Sequence, residues 1–165
     1  GGQMKNLFIS VLLLLGVWLL LNASLSPVVI VSGLITALII AVFFSARHPV
    51  FREMKLNPKA IAYFFIYFFV FTFELIKANL DVARRVVSPS LPINPGIVEV
   101  KTRLTSKIGR LFLANSITLT PGTLTVDIKG DSLFIHWIDA SSTDIEGATK
   151  KIVESFEKYL EVIYG

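Results

Sequence analysis

No cysteine occurs in this chain, which excludes disulfides, thiolate metal sites, iron–sulfur ligation and cysteine nucleophiles. Histidine is almost as scarce, and His48 and His136 leave little from which to build a zinc centre. Charge is sparse too, at 17% of 165 residues, and is missing from two adjoining stretches, Leu7 to Leu21 and Val28 to Phe44. A third stretch, Ala60 to Phe73, is equally free of charge and built almost wholly of Phe, Tyr, Ile and Val. Glycine-rich phosphate loops, paired carboxylates with a pocket motif, and a nucleophile with its base are likewise absent.

What remains is an apolar chain, 53% hydrophobic, whose first half belongs in a bilayer. Crossing a hydrocarbon core takes roughly 20 apolar residues of helix, because a helix pairs its own peptide groups where lipid offers no partner. Met4 reads as the natural start, with Gly1, Gly2 and Gln3 as an expression remnant or an extended start. Lys5 followed by the Leu7 run resembles a signal-peptide core with cleavage near Ala23, but a second apolar run begins four residues later and favours a retained hairpin. The two helices meet at Asn22 to Pro27, with Pro27 suited to a first helical turn, and Gly16, Ser32, Gly33 and Thr36 supply small faces for close approach. Asn22-Ala-Ser24 also fits a glycosylation sequon, though one that close to a bilayer is usually unused.

The charge is unevenly divided. Residues 1–85 hold eight Lys/Arg against three Asp/Glu, whereas residues 86–165 hold eight against nine. The pI near 9.4 is therefore a membrane-flank effect and no footprint for nucleic acid. A basic connector carries Arg47, Arg52, Lys55 and Lys59, and Asn57-Pro58 opens a third helix that runs past Glu74, Lys77, Asn79 and Asp81 to Arg84 and Arg85. Its charge-free part is short for a free span. Basic residues favour the cytoplasmic side, yet three full crossings would place the two basic clusters on opposite sides. A third helix that dips or lies obliquely keeps both clusters, and the following domain, in the cytoplasm. The expected organisation is two to three transmembrane helices at about 5–22, 27–45 and 59–83, then a small soluble domain over 86–165. A domain that short is marginal alone and leans on the membrane half or a partner.

In the second half, Ile97 to Leu104 alternates as a half-buried strand, and Ser106 caps a helix to about Ala114. Pro121-Gly122 turns into a buried strand, Thr123 to Ile128, and Lys129-Gly130-Asp131 closes a hairpin onto Leu133 to Ile138. Thr143-Asp-Ile-Glu146 is a capping box that opens one long final helix with a single apolar stripe. Strand, helix, strand, strand, helix makes a small α+β sandwich, a reduced ferredoxin-like fold, in which the first two strands are parallel if they share a sheet.

Glu74, Lys77 and Asp81 share one side of the third helix at spacings of three and four. An acid at membrane depth suggests an ion path, whereas the bland reading is a helix leaving lipid and pairing its own charges. The charge-free runs of the first two helices offer no ionisable group to extend such a path. Asp127, Asp131 and Asp139 sit beside turns, where Asp usually satisfies backbone donors, and His136 lies in a strand as a packed or rim residue. The Tyr63 to Phe73 cluster is lipid-facing and helix-packing surface.

The most specific string is Ala114-Asn-Ser-Ile-Thr-Leu-Thr-Pro-Gly-Thr-Leu-Thr-Val-Asp-Ile128: a helix end, a hydroxyl-rich bend, a tight turn and a strand. It closely resembles the hallmark of the E subunit of Mrp-type multisubunit sodium/proton antiporters, Asn-x-Ile-Thr-Leu-Thr-Pro-Gly-Thr-Leu-Thr-Val. The resemblance extends from Met4 to Gly165 through Glu74-x-x-x-Ala-Asn79-x-Asp-Val82, Pro92-x-x-Pro-Gly-Ile97 and His136-x-x-Asp139. It implies an accessory subunit in the cell membrane, with a cytoplasmic C-terminal domain and other membrane subunits as partners. Ion pathways in that family are attributed mainly to the large antiporter-like subunits, and related subunits occur in the sodium-translocating modules of energy-converting membrane-bound hydrogenases. The resemblance brings no catalytic residue and no cofactor. Asn115, Thr118, Thr120, Pro121, Gly122 and Thr123 match the hallmark and are expected to shape a turn that docks on neighbours. Two alternatives remain: Glu74 as a direct contributor to an ion pathway, and a free-standing membrane-anchored binding domain.

Overall fold

The computed structural model describes residues 2–45, 53–55 and 57–165. The connector residues Arg47, His48 and Arg52 lie outside that set. Among the described residues, three helices are long and apolar enough to cross a membrane: α1 (Gly2–Asn22), α2 (Pro27–Ser45) and α3 (Pro58–Val87). After them come β1 (Gly96–Lys101), α4 (Lys107–Leu119), β2 (Thr123–Lys129), β3 (Ser132–Trp137), α5 (Ile145–Ile152) and α6 (Glu154–Tyr164). The chain forms two compact units, residues 1–54 and 55–165. Hydropathy draws its line after Arg85, whereas packing groups α3 with the α+β elements.

In the first unit, α1 and α2 form the expected hairpin. Small residues four apart, Gly33, Ala37 and Ala41, are buried and let the backbones approach. A Cβ on Gly33 would stand 2.4 Å from Trp18, so that indole occupies the space the glycine leaves. The Trp18 Nε1 donates to the Val29 carbonyl at 3.0 Å, which satisfies its polar edge. Gly16, expected to serve the same purpose, has open space where its Cβ would be. The hydroxyls of Ser10 and Thr36 each donate to the carbonyl four residues back at 2.8 Å, and so add no unpaired donor to an apolar helix.

In the second unit, Asn57 caps α3 by accepting from the Ala60 N–H at 2.7 Å, with Pro58 at the first helical position as expected. The aromatic cluster divides by face. Tyr63 meets Tyr159 at 6.2 Å between ring centroids, and Tyr67 and Phe71 each meet Phe156 at 6.4 Å. The Tyr67 hydroxyl also bonds to Ser116 of α4. At the start of α3 the Lys55 N–H donates to Ile163, so α6 runs antiparallel along the first half of α3.

The sheet order is β1-β3-β2, with β3 antiparallel to both neighbours. β1 and β2 are therefore parallel, as a helical crossover dictates, but the hairpin strand is inserted between them, a split β-α-β arrangement. One face carries Val98, Val100, Leu133 and Ile135, all buried beneath the helices. The Thr125 hydroxyl donates to the Ala114 carbonyl of α4, and the Lys101 N–H donates to the Thr149 hydroxyl of α5, which fixes both helices on that face. The opposite face leaves Ile97, Leu124 and His136 exposed.

Five local expectations need correction. β1 ends at Lys101, and Thr102 to Leu104 instead form an irregular link held by Glu157 of α6. α4 keeps its Ser106 cap but continues five residues past Ala114, through the hydroxyl-rich segment read as a bend. β2 is not buried: it is an edge strand, bulged between Thr125 and Asp127, with Leu124 and Val126 at least half exposed. The final helix is interrupted at Val153 into α5 and α6. Its cap is Asp144, which accepts from the Gly147 N–H at 2.7 Å, so the Thr143–Glu146 capping box does not form.

Tyr164 closes the core of this unit, with its ring 5.2 Å from that of Phe112. Burial, with a smaller contribution from Tyr67, pushes its hydroxyl up to about 12. The folded value lies above the ordinary value of 10.0, so its contribution to stability is complete below pH 10 and is lost between pH 10 and about 12. Tyr164→Phe should flatten that part of the pH–stability curve, measured by circular dichroism of the purified chain in detergent. Equal alkaline slopes in wild type and variant would contradict it.

Candidate functional site

The two groups singled out by sequence, on α3 and in the hallmark, come together. A cavity of about 290 Å³ is lined by Glu74, Lys77 and Asp81 of α3 and by Thr120, Pro121, Gly122 and Thr123. Asp139, Trp137 and Lys151 complete its wall. Asn115 and Thr118 lie outside it, both exposed on α4.

Glu74 is on the cavity side of α3. Its Oε2 is 3.4 Å from Lys77 Nζ, and its side chain is 25% exposed. Asp81 does not continue that pair toward Lys77 as the spacing allowed. It accepts from Arg85 Nε at 2.7 Å, one turn further on. Arg85 in turn lies 3.0 Å from Asp139 Oδ2 and donates to the Pro92 carbonyl at 2.6 Å. One guanidinium thus fastens the end of α3 to the segment just after β3 and to the connector that leads from α3 into β1. Sequence spacing missed this link because Arg85 and Asp139 are far apart in the chain.

The hallmark is a helix-ending device. Its hydroxyls add donors to the last carbonyls of α4, which otherwise share the single Thr120 N–H: Thr120 Oγ1 donates to Ser116 at 2.7 Å, and Thr123 Oγ1 to Ile117 at 2.6 Å. Thr118 Oγ1 accepts from the Thr125 N–H at 3.1 Å, tying α4 to β2. Gly122 has φ +91°, a conformation that suits glycine, and its carbonyl accepts from Ile138 at 2.8 Å. The threonines therefore have architectural work independent of any ligand.

The turn aspartates are also occupied. Asp127 accepts from the Ile128 N–H at 2.8 Å and pairs with Lys129, which holds its carboxyl below the usual value. Lys101 does the same for Asp131. Among the described residues no cluster of three His, Asp or Glu side chains is placed to hold a metal. His136 stands on the open sheet face, away from the cavity.

An apolar helical hairpin, together with a helix-backed α+β unit whose cleft carboxylates are each paired with a basic side chain, defines a small membrane protein of the anchored-domain class. Similarity to known proteins agrees and is more specific. The family model described as "Na+/H+ ion antiporter subunit" matches residues 11–163, and the chain belongs to that family. It is 38% identical over 148 residues to the E subunit of the Na+/H+ antiporter of Bacillus subtilis, covering 88% of this chain and 90% of the relative. It is 42% identical over 87 residues to the corresponding subunit of Alkalihalophilus pseudofirmus, covering 52% and 54%. Among solved structures it resembles a chain of the membrane-bound sulfane sulfur reductase, an archaeal respiratory membrane complex. The TM-score is 0.84 at 46% identity, covering 95% of this chain and 98% of that one.

Proposed function

We propose that this chain is a non-catalytic accessory subunit of a cation/proton antiporter-type membrane complex, in which it supports assembly and holds its α+β unit on the cytoplasmic side. The family match over residues 11–163 carries this reading. The chemistry of the cavity supports it. Glu74 pairs with Lys77, and Asp81 and Asp139 share Arg85, so these side chains serve the join between α3 and the domain. The described residues of α1 and α2 include one ionisable side chain, Lys5, near the start of α1, which is too little to continue a proton path from Glu74.

The test is affinity purification of the C-terminally tagged chain from its native host in mild detergent, followed by mass spectrometry. Large antiporter-like subunits should co-purify, and accompanying redox subunits would place the chain in a respiratory complex like that of its structural neighbour. Recovery of the chain alone, under conditions that preserve other complexes, would favour a free-standing anchor. In the intact assembly, Glu74→Gln should leave ion transport within about fivefold of wild type, since the loss of one partly exposed pair contributes under about 1 kcal/mol. A severe transport loss without loss of subunits would give Glu74 a place in the ion path.

A further inference from the structure

We propose that α3 does not cross the bilayer but lies in the plane of an anionic membrane surface, with one face in the acyl boundary and the α+β unit resting on the other. The starting observation is what runs beside it. α6 lies against α3 from Lys55 to Phe71, the same stretch that would occupy the hydrocarbon core if α3 were a span. At that level α6 exposes Glu154 and Lys158, close to the contacts made by Phe156 and Tyr159. A crossing α3 would carry these charges to membrane depth, together with the irregular backbone of the Thr102 to Leu104 link.

The free side of α3 has the composition that an interfacial helix needs. Phe65, Phe69, Phe73, Ile76 and Leu80 recur at helical spacing, and each is more than half exposed. Against this face stands an edge of positive charge. Lys59, Lys77 and Arg84 are separated by 18 and 7 residues, which is about five turns and about two turns at roughly 3.6 residues each, so they fall on one line along the flank of the apolar stripe. All three are exposed, and the Lys77 side chain is 67% exposed despite its contact with Glu74. Such an edge is complementary to lipid phosphates along the whole length of a helix that lies in the membrane plane. An in-plane helix also keeps the basic connector and the Arg84-Arg85 end on one side of the membrane, as the distribution of positive charge requires.

Only the placement of α3 is at stake, so its failure would leave the accessory-subunit reading intact. Because the chain has no cysteine, single spin labels can be placed cleanly. Labels would be introduced as Phe65→Cys, Phe69→Cys, Phe73→Cys and Leu80→Cys in the assembled complex, reconstituted in phosphatidylethanolamine–phosphatidylglycerol vesicles. Power saturation with oxygen and a water-soluble nickel chelate should place all four at one shallow depth, with an Arg84→Cys label nearer the water. A depth profile that peaks around Phe69 and Phe73 and falls toward both ends would overturn the proposal in favour of a crossing helix. Low accessibility to both reagents would overturn it in favour of a covering protein. In sealed vesicles, Lys55→Cys and Ser90→Cys should react with an impermeant maleimide from the same side, and opposite sides would also overturn it.

Discussion

Replacing Glu157 with alanine is expected to lower the stability of the second unit by about 2–4 kcal/mol, because it takes from the Thr102 hydroxyl and the Arg103 N–H the acceptor they share, while the Arg103 guanidinium keeps Glu161. Glu157 is 2% exposed although it is a carboxylate on a helix with a charged outer side. Its Oε1 accepts from the Thr102 hydroxyl and from the Arg103 N–H, the latter at 2.8 Å, and its Oε2 is 3.3 Å from Arg103 Nε. These bonds hold the irregular link between β1 and α4 against α6, where no strand ladder supplies partners. The effect would be measured as a fall in the thermal midpoint of the purified chain in detergent. Glu157→Gln keeps an acceptor for Thr102 and Arg103 and should lose less. Equal losses in the two variants would show that the charge, through Arg103, matters more than the backbone bond.

A second large loss is expected at the hallmark turn. Gly122 has φ +91°, and a Cβ there would stand 2.8 Å from Ile138 Cγ2. Gly122→Val adds left-handed strain to a clash, and the two together cost about 2–5 kcal/mol. The turn carries the Ile138 N–H bond and lines the cavity, so the damage should extend to the join between the end of β3 and α3. Gly130→Ala provides the control. Its φ is +62° but nothing lies within 4 Å of an added Cβ, so it should show only the backbone part, about 1 kcal/mol. If the two variants lost the same amount, the close packing of Ile138 on Gly122 would not be the cause.

The elements that sequence made legible were those whose cause is local. Ser106 and Asn57 cap the helices they precede, Lys129-Gly130-Asp131 closes the hairpin, and the crossover through α4 makes β1 and β2 parallel. Alternation in Leu124, Val126 and Ile128 identified a strand but could not say whether anything covers it. In an edge strand with a bulge, two of those residues are at least half exposed. The length of α4 was hidden by Asn115, Ser116 and Thr118, residues of modest helix propensity in a stretch that is held helical by hydroxyl bonds to β2. At the cavity, the Glu74–Lys77 pair could be read from spacing because it lies within one helix turn. The Arg85–Asp139 pair and the meeting of α3 with the hallmark depend on how the domain folds back, for which the linear sequence contains no period.

The bulge in β2 also bears on the life of the chain before it finds its complex. A newly made copy presents an edge strand with Leu124 and Val126 exposed along it, a template onto which a second copy could add a strand. The register shift between Thr125 and Asp127 breaks that edge in its middle, and Asp127 and Lys129 follow with charges of opposite sign. Neither half of the strand is then long enough to seed a flat ladder, so an unassembled copy is shielded from self-association by a single extra residue.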